Sequence, residues 1–129
     1  MKPGERFSSR VDDYQKYRPD YPQSLATEII KQSGLDDSAV IADFGSGTGI
    51  FTRRLLQAGF EVYAVEPNRE MRVAAESTLA AEPGFTSIDG SAEDSRLESA
   101  SIDLITAAQA FHWFNTDTAK QEFRRVLKP

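Results

Sequence analysis

The chain has 129 residues, of which 40% are hydrophobic and 27% are charged, a balance typical of one globular domain with one core. Fifteen basic against twenty acidic residues leave a net charge of −5, which argues against a protein that binds nucleic acid through its phosphates. The absence of cysteine excludes disulfides, thiolate metal sites and a cysteine nucleophile, and the single histidine excludes a histidine-rich metal site.

The sequence shows neither a membrane span nor a secretory signal. A transmembrane helix needs about eighteen apolar residues in a row, and no such run exists. The first residues, Met1 to Arg6, are polar and lack the apolar stretch of a signal peptide. We therefore expect a cytoplasmic protein with no membrane partner, no nucleic-acid partner and no metal site.

Residues 1–21 are polar and aromatic, and we expect them to form an N-terminal arm over a domain that comprises residues 22–129. That domain opens with a predicted helix from Pro22 to about Ser33, where apolar residues recur at helical spacing. Gly34 suits the position just past the end of this helix.

Four predicted strands alternate with helices through the rest of the domain. The strands are Val40–Phe44, Glu61–Val65, Phe85–Asp89 and Ile102–Ala107, and the last helix begins at about Thr116. This alternation is typical of right-handed crossovers and a mainly parallel sheet. Because ligands bind beyond the carboxyl ends of such strands, we expect the functional site in the loops that follow them.

The most specific motif is the glycine-rich segment Asp43–Gly49, which follows the first strand and opens a helix. Glycine permits a positive φ and a close approach of backbone to ligand, and a helix start offers unpaired N–H donors. A dinucleotide fingerprint, G-x-G-x-x-G, requires its third small residue at Ile50, whereas the third glycine here is Gly49. An NAD site is therefore disfavoured but stays open.

Glu66 ends the second strand, about twenty residues beyond the glycine motif, where a carboxylate can accept hydrogen bonds from both ribose hydroxyls. The alternative is an ordinary solvated charge at a strand end. Together with the glycine motif, Glu66 indicates an adenosine-type ligand with unmodified hydroxyls. A 2′-phosphate would be repelled by Glu66, although Arg69 nearby tempers that repulsion.

Five segments resemble, in chain order, the motifs of class I S-adenosylmethionine-dependent methyltransferases, and the opening Phe7–Pro22 is similar to their small-molecule, type 11-like branch. The segments are Ala42–Gly49, Val65–Asn68, Gly90–Asp94, Ile102–Phe114 and Phe123–Pro129. The resemblance implies a Rossmann-like, doubly wound α/β fold, with the first four strands, in the order 3-2-1-4, of a seven-stranded and mainly parallel sheet. It also implies S-adenosylmethionine as the cofactor and in-line methyl transfer to a small-molecule acceptor.

The resemblance further implies which residues hold the cofactor. Its methionine part would be contacted by the backbone at Gly45, Ser46, Gly47 and Gly49, by Asp43 at the amino group and by Gln109 beneath. The ribose would be held by Glu66, and the adenine would be bordered by Asn68 or Met71 beside Pro67, and by Ala92 and Glu93. Tyr17 and Arg18 of the arm would close over the cofactor. Many relatives carry an acid where this chain has Ser91, so we expect Glu93 to share the bond to the adenine amino group.

His112 is the candidate general base, because its reference pKa lies near neutrality and a base is needed only if the acceptor carries a proton. Tyr17 is a second catalytic candidate. The alternative for His112 is a packing role in an aromatic loop beside Trp113. The charged segment Glu93–Glu98 is otherwise expected to be an ordinary solvated loop.

The chain stops where the relatives continue for about three more strands, so the fourth strand is expected to be a sheet edge that carries Ile102, Leu104 and Ile105. Exposed apolar edges promote association. Two alternatives to a complete enzyme follow: a truncated cofactor-binding fragment without turnover, or a homo-oligomer in which a second copy covers this edge. An NAD-dependent oxidoreductase is the less favoured alternative.

Overall fold

The structure is a computed structural model that describes residues 23–36, 38–107 and 116–129. Within these ranges, four helices and four strands alternate along the chain. They are α1 (Gln23–Ser33), β1 (Val40–Phe44), α2 (Ile50–Gln57), β2 (Glu61–Val65), α3 (Arg69–Leu79), β3 (Phe85–Ile88), β4 (Leu104–Thr106) and α4 (Thr116–Val126). The predicted arm, residues 1–21, lies outside the described residues.

The four strands form one sheet in the order β3-β2-β1-β4, and every neighbouring pair is parallel. Val40 to Phe44 pair residue by residue with Glu61 to Val65, so the two central strands end at the same level. This arrangement is the predicted Rossmann-like sheet with its first four strands in the order 3-2-1-4. It places the segments after β1, β2 and β3 side by side at one edge of the sheet.

The β1 sequence is apolar at nearly every position because helices cover both of its faces. Ile41 packs on one face in a cluster with Leu55 and Val62. Phe44 packs on the opposite face with Ile102 and Val126, as expected for a strand in which successive side chains point to opposite sides. Two apolar layers, one on each face of the sheet, therefore fix β1 and with it the position of the glycine-rich segment at the carboxyl end of this strand.

Gly49 combines a positive φ with close packing against a neighbouring helix. Its φ is +88°, and a Cβ there would lie 2.8 Å from Cδ1 of Leu79. The start of α2 therefore packs closely against the end of α3, and a larger residue at Gly49 would require Leu79 to shift as well as a strained backbone.

The outer strand is shorter than the sequence predicts. Only Leu104–Thr106 form β4, whereas Ile102 makes an isolated parallel bridge to Leu127. The N–H of Ile102 donates to the carbonyl of Val126, and the N–H of Lys128 donates to that of Ile102. Ile102 is completely buried, so the expectation that it lies on an exposed apolar edge is wrong. Leu104 and Ile105 are half-buried on the strand that ends the described sheet.

In the part of the chain that the structure describes, no helix is both long enough and apolar enough to cross a membrane.

Candidate functional site

Glu66 connects the glycine-rich segment to the turn after β2. Its Oε1 accepts a hydrogen bond from the N–H of Gly47 over 2.7 Å, and its Oε2 accepts one from the N–H of Asn68 over 2.9 Å. The side chain is buried, and this burial raises the pKa of Glu66, while the two backbone donors and Arg72 oppose the rise. A buried carboxylate bonded to two separate loops is unlike a solvated charge at a strand end.

The glycine-rich segment itself is shaped by three positive φ angles, at Gly45, Gly47 and Gly49. The N–H groups of Gly45 and Ser46 both donate to the carbonyl of Val65, the last residue of β2. Gly49 caps α2 and has no side-chain oxygen with which to satisfy the first N–H groups of the helix. The segment thus presents backbone rather than side chains beyond the ends of β1 and β2.

Asn68 begins α3 and is nearly fully buried. Its Oδ1 accepts from the N–H of Met71 over 2.9 Å, which is the bond that an N-cap residue makes. Met71 is buried, and its Sδ lies 3.8 Å from the point where a Cβ on Gly47 would be. Pro67 is exposed between the two partners of Glu66. These three residues therefore lie together beside the glycine-rich segment.

Asp43, the last residue but one of β1, is the first residue of the glycine-rich segment and is buried. Oδ2 accepts from the hydroxyl of Thr52 over 2.7 Å, and Oδ1 accepts from the hydroxyl of Thr106 over 2.9 Å. Burial raises the pKa of Asp43 to about 6, and the two threonine hydroxyls oppose this rise. The carboxyl group is thereby fixed between α2 and β4.

Arg72 fastens the turn after β2 to the end of β3. Its Nη1 donates to the carbonyls of Glu66 and Pro67, at 3.0 Å and 3.3 Å. The same nitrogen lies 3.3 Å from a carboxylate oxygen of Asp89, the residue that follows β3. One guanidinium therefore links the segments that follow two neighbouring strands.

The loop after β3 is a closed turn rather than a solvated loop. The N–H of Ser91 donates to the carbonyl of Asp94, and the N–H of Asp94 donates to Oγ of Ser91. Ala92 is buried against the apolar layer that contains Phe44. Ser95 and Leu97 are buried as well, so the prediction of an ordinary solvated segment from Glu93 to Glu98 is wrong at these two positions.

Among the described residues, no group of three or more histidine, aspartate or glutamate side chains is arranged to hold a metal ion.

Comparison with known proteins identifies the family. The model of a family described as "Methyltransferase domain" matches residues 42–129, which run from the middle of β1 to the end of the chain and contain every described residue of the candidate site. The chain belongs to this methyltransferase domain family.

Individual relatives agree with this membership. An uncharacterized methyltransferase-like protein of Schizosaccharomyces pombe is 36% identical over 124 residues, which make up 95% of this chain and 47% of that protein. An uncharacterized methyltransferase of Mycobacterium bovis is 35% identical over 95% of this chain and 48% of its own length. This chain therefore spans about half the length of these curated relatives.

A solved structure from Methanococcus maripaludis, described provisionally as an S-adenosyl-L-methionine-dependent methyltransferase, superimposes with a TM-score of 0.82 at 25% identity. The match covers 99% of this chain and 61% of that one. The predicted fold class and family are thus confirmed, and they disfavour the NAD-dependent alternative.

The methyltransferase domain brings together most of the residues predicted for the site. At the carboxyl edge of the sheet it gathers those of the glycine-rich segment, of the turn after β2 and of the loop after β3. They are Asp43, Gly45, Ser46, Gly47, Gly49, Glu66, Pro67, Asn68, Met71, Ala92 and Glu93. The remaining predicted residues, Tyr17, Arg18, Gln109 and His112, lie outside the described residues, and their roles stay predictions.

Three residues of the candidate site were missed by sequence reasoning. Thr52 and Thr106 fix Asp43, and Arg72 fixes the turn that carries Glu66. A signal for Thr52 existed, since it lies one helical turn into α2 on the same face as the buried Leu55 and Leu56. Thr106 lies 63 positions from Asp43 in the sequence, and Arg72 lies on α3 whereas Glu66 precedes this helix. No local sequence pattern indicates either contact.

Proposed function

We propose that this methyltransferase domain binds S-adenosylmethionine over the carboxyl ends of β1, β2 and β3, and that the protein transfers the methyl group to a small-molecule acceptor. The observation that carries the proposal is the buried Glu66 carboxylate, bonded to the N–H of Gly47 over 2.7 Å at the end of β2. Family membership and the description of the Methanococcus maripaludis structure support it.

The bonding capacity of Glu66 fits a ribose. Each carboxylate oxygen has about two acceptor positions, and each oxygen of Glu66 accepts one bond from the backbone, at Gly47 or at Asn68. One position per oxygen therefore remains for the two hydroxyls of a ribose. The backbone donors hold the carboxylate in one position, which lowers the entropic cost of binding a ligand.

The order of the strands sets the direction in which the cofactor lies. The glycine-rich segment lies at the end of β1, Glu66 directly follows β2, and the Ser91–Asp94 turn follows β3. Because the sheet order is β3-β2-β1, a ligand whose ribose lies at Glu66 has its amino-acid part toward the glycine-rich segment. Its adenine then lies toward Ala92 and Glu93, which is the predicted arrangement.

Asp43 suits the amino group of the cofactor's methionine part. Its two oxygens each accept one threonine hydroxyl, so each keeps one acceptor position for an ammonium group or for a bridging water. Burial holds the pKa of Asp43 at about 6, and a positive charge placed beside it lowers that pKa and favours the carboxylate. Binding of the cofactor and ionisation of Asp43 therefore reinforce each other.

When bound, S-adenosylmethionine supplies a methyl group on a positively charged sulfur, which is already an activated leaving group. The chain's own part is to hold the reacting atoms in line and to exclude water. Glu66 and the glycine-rich backbone perform this alignment in the proposal. His112 and Tyr17 remain the candidate groups for accepting a proton from the acceptor.

Two further expectations belong to this proposal. A cytoplasmic location stays a prediction. A homo-oligomer in which a second copy pairs with β4 also stays a prediction, and it is motivated by the position of Leu104 and Ile105 on the strand that ends the described sheet. Light scattering of the purified chain tests it, since a stable monomer contradicts the oligomer.

Calorimetric titration with S-adenosylhomocysteine tests the cofactor proposal. We expect saturable binding to the folded chain, and no binding of NADH. Absence of S-adenosylhomocysteine binding at about 1 mM ligand, a threshold of about −4 kcal/mol, contradicts the proposal.

A second candidate function is cofactor binding without turnover. A panel of small acceptors with methyl-labelled cofactor separates the two candidates. Label transfer supports the enzyme, whereas tight binding with no transfer to any acceptor supports the binding function.

A further inference from the structure

Glu122 of α4 is a buried carboxylate that holds the loop after β3. Its Oε2 accepts from the N–H of Ser95 over 2.8 Å and from the hydroxyl of Ser95 over 2.6 Å. Ser95 is completely buried, and its Oγ accepts in turn from the N–H of Leu97. A single side chain of the last helix therefore fixes the backbone of a loop 27 residues away in sequence.

Arg125 completes the attachment. Its Nε and Nη2 donate to the two oxygens of Glu122 over 2.8 Å and 2.7 Å, and Nη2 also donates to the carbonyl of Leu97. Its Nη1 reaches Oγ of Ser99 over 3.1 Å. The hydrogen bond from Arg125 holds the pKa of Glu122 at about 2, so the carboxylate is ionised at any pH used for assays. Charge-assisted bonds of this kind are stronger than neutral ones.

The attachment at Ser95 reaches the turn at Ser91 through backbone contacts. A Cβ on Gly90 would lie 2.6 Å from the carbonyl oxygen of Ser95, so the two ends of the loop touch. Between them, Ser91 and Asp94 close a turn through two hydrogen bonds. Residues 90–95 thus form one compact unit, fixed at its far end by Glu122 and at its centre by the buried Ala92.

We propose that Glu122 is a positioning residue for recognition of the adenine base, because it fixes the loop whose Ser91–Glu93 edge faces the base. This inference rests on the proposed function, which places adenine against that edge. It assigns to α4 a part in cofactor specificity that acts through the loop after β3.

The test compares S-adenosylhomocysteine with S-inosylhomocysteine by calorimetry; in the inosyl ligand an oxygen replaces the adenine amino group and N1 carries a hydrogen. We expect the wild-type chain to prefer the adenosyl ligand by about tenfold or more, since the loss of one hydrogen bond of about 1.4 kcal/mol accounts for a factor of ten. The Glu122→Gln variant should bind the adenosyl ligand about five- to tenfold more weakly and should bind the inosyl ligand within about twofold of wild type. The preference for adenine then disappears, which a general loss of stability does not produce.

Two further variants complete the design. Ser95→Ala removes one bond to Glu122 while leaving the pair with Arg125, so it should reduce the preference in the same direction, and it carries the test if Glu122→Gln does not fold. Glu98→Gln changes an exposed carboxylate of the same loop and should leave the preference unchanged.

The outcomes separate this inference from the proposed function. A wild-type chain that binds both ligands equally, or variants that weaken both ligands by the same factor, contradict the positioning role and leave cofactor binding intact. A folded wild-type chain that binds neither ligand contradicts the proposed function, and the positioning role with it.

Discussion

The backbone N–H of Gly47 donates to Oε1 of Glu66 over 2.7 Å, between residues that lie 19 positions apart. This bond joins the segment after β1 to the end of β2, and burial of the carboxylate raises the pKa of Glu66. A buried acid is stable only with hydrogen-bond partners, and here both partners are backbone groups of the two loops that form the candidate site. Glu66 therefore joins the two loops of the candidate site through bonds to their own backbone.

Replacement of Glu66 by alanine tests its role in holding ribose. We expect the affinity for S-adenosylhomocysteine, measured by calorimetry, to fall by about 1–3 kcal/mol, because charge-assisted hydrogen bonds to the hydroxyls are lost. Glu61→Ala is the matched control, since Glu61 is exposed at the opposite end of the same strand. Equal affinities for the Glu66 variant and this control refute the ribose role.

Replacement of Asp43 by asparagine tests the burial of its carboxyl group. The pKa of Asp43 is raised from 3.8 to about 6, so the folded state binds its proton more tightly than the unfolded chain does. The contribution of Asp43 to stability is therefore fully present below about pH 4, declines as the pH rises to about 6 and is constant above that. Relative to Asp43→Asn, the wild type should lose about 2–3 kcal/mol of unfolding free energy between pH 4 and pH 7.

Urea denaturation of both proteins at several pH values measures this difference. A difference between the wild type and Asp43→Asn that stays constant from pH 4 to pH 7 is inconsistent with a raised pKa at Asp43. Comparison of the two proteins at each pH removes the contributions of the other titrating groups.

Replacement of Gly49 by alanine tests the close packing of α2 on α3. A Cβ there meets Cδ1 of Leu79 at 2.8 Å, whereas a Cβ on Gly59, which also has a positive φ, meets nothing within 4 Å. Both alanine variants bear the cost of the backbone conformation, but only Gly49→Ala forces repacking. We expect Gly49→Ala to be less stable than Gly59→Ala by about 1–3 kcal/mol in chemical denaturation. Equal losses would show that α3 accommodates the added methyl group.

Replacement of Arg72 tests the link between β2 and β3. Arg72→Leu leaves the carbonyls of Glu66 and Pro67 without their donor, so we expect the free energy of unfolding to fall by about 1–3 kcal/mol. Asp89→Asn removes only the exposed ion pair and should cost less than about 0.5 kcal/mol. Chemical denaturation measures the free energy of unfolding of the two variants. Similar decreases in both would mean that the ion pair, rather than the carbonyl contacts, makes the link.

The sequence predicts the central strands and the loops of the site because both depend on local chemistry. Val40–Phe44 is a mainly apolar run that ends at Gly45, and Glu61–Val65 is a mainly apolar run between Gly59 and Pro67; the structure reproduces both ranges without change. Gly47 belongs to the glycine-rich segment and Glu66 is the acidic residue after the second strand, and both features can be read directly from the sequence. The predicted strand order also holds, since it follows from the family resemblance.

The sequence does not predict contacts that arise only when distant segments meet. The segment from Glu93 to Glu98 is charged and looks solvated, yet Ser95 is buried because Glu122, which is distant in sequence, folds over it. Ile102 likewise pairs with Leu127 instead of extending β4. In each case, the partner is provided by the last helix or by the residues at its end, and no periodicity within the loop reports it.

The central claim, that Glu66 holds the ribose of an adenosyl cofactor, is tested most directly by pairing a ligand change with a protein change. S-adenosylhomocysteine and its 2′-deoxy analogue are titrated into the wild type and into Glu66→Ala. We predict that loss of the hydroxyl weakens binding about tenfold in the wild type and less than about twofold in the variant, because the partner of that hydroxyl is gone. The same loss in both proteins would contradict the claim.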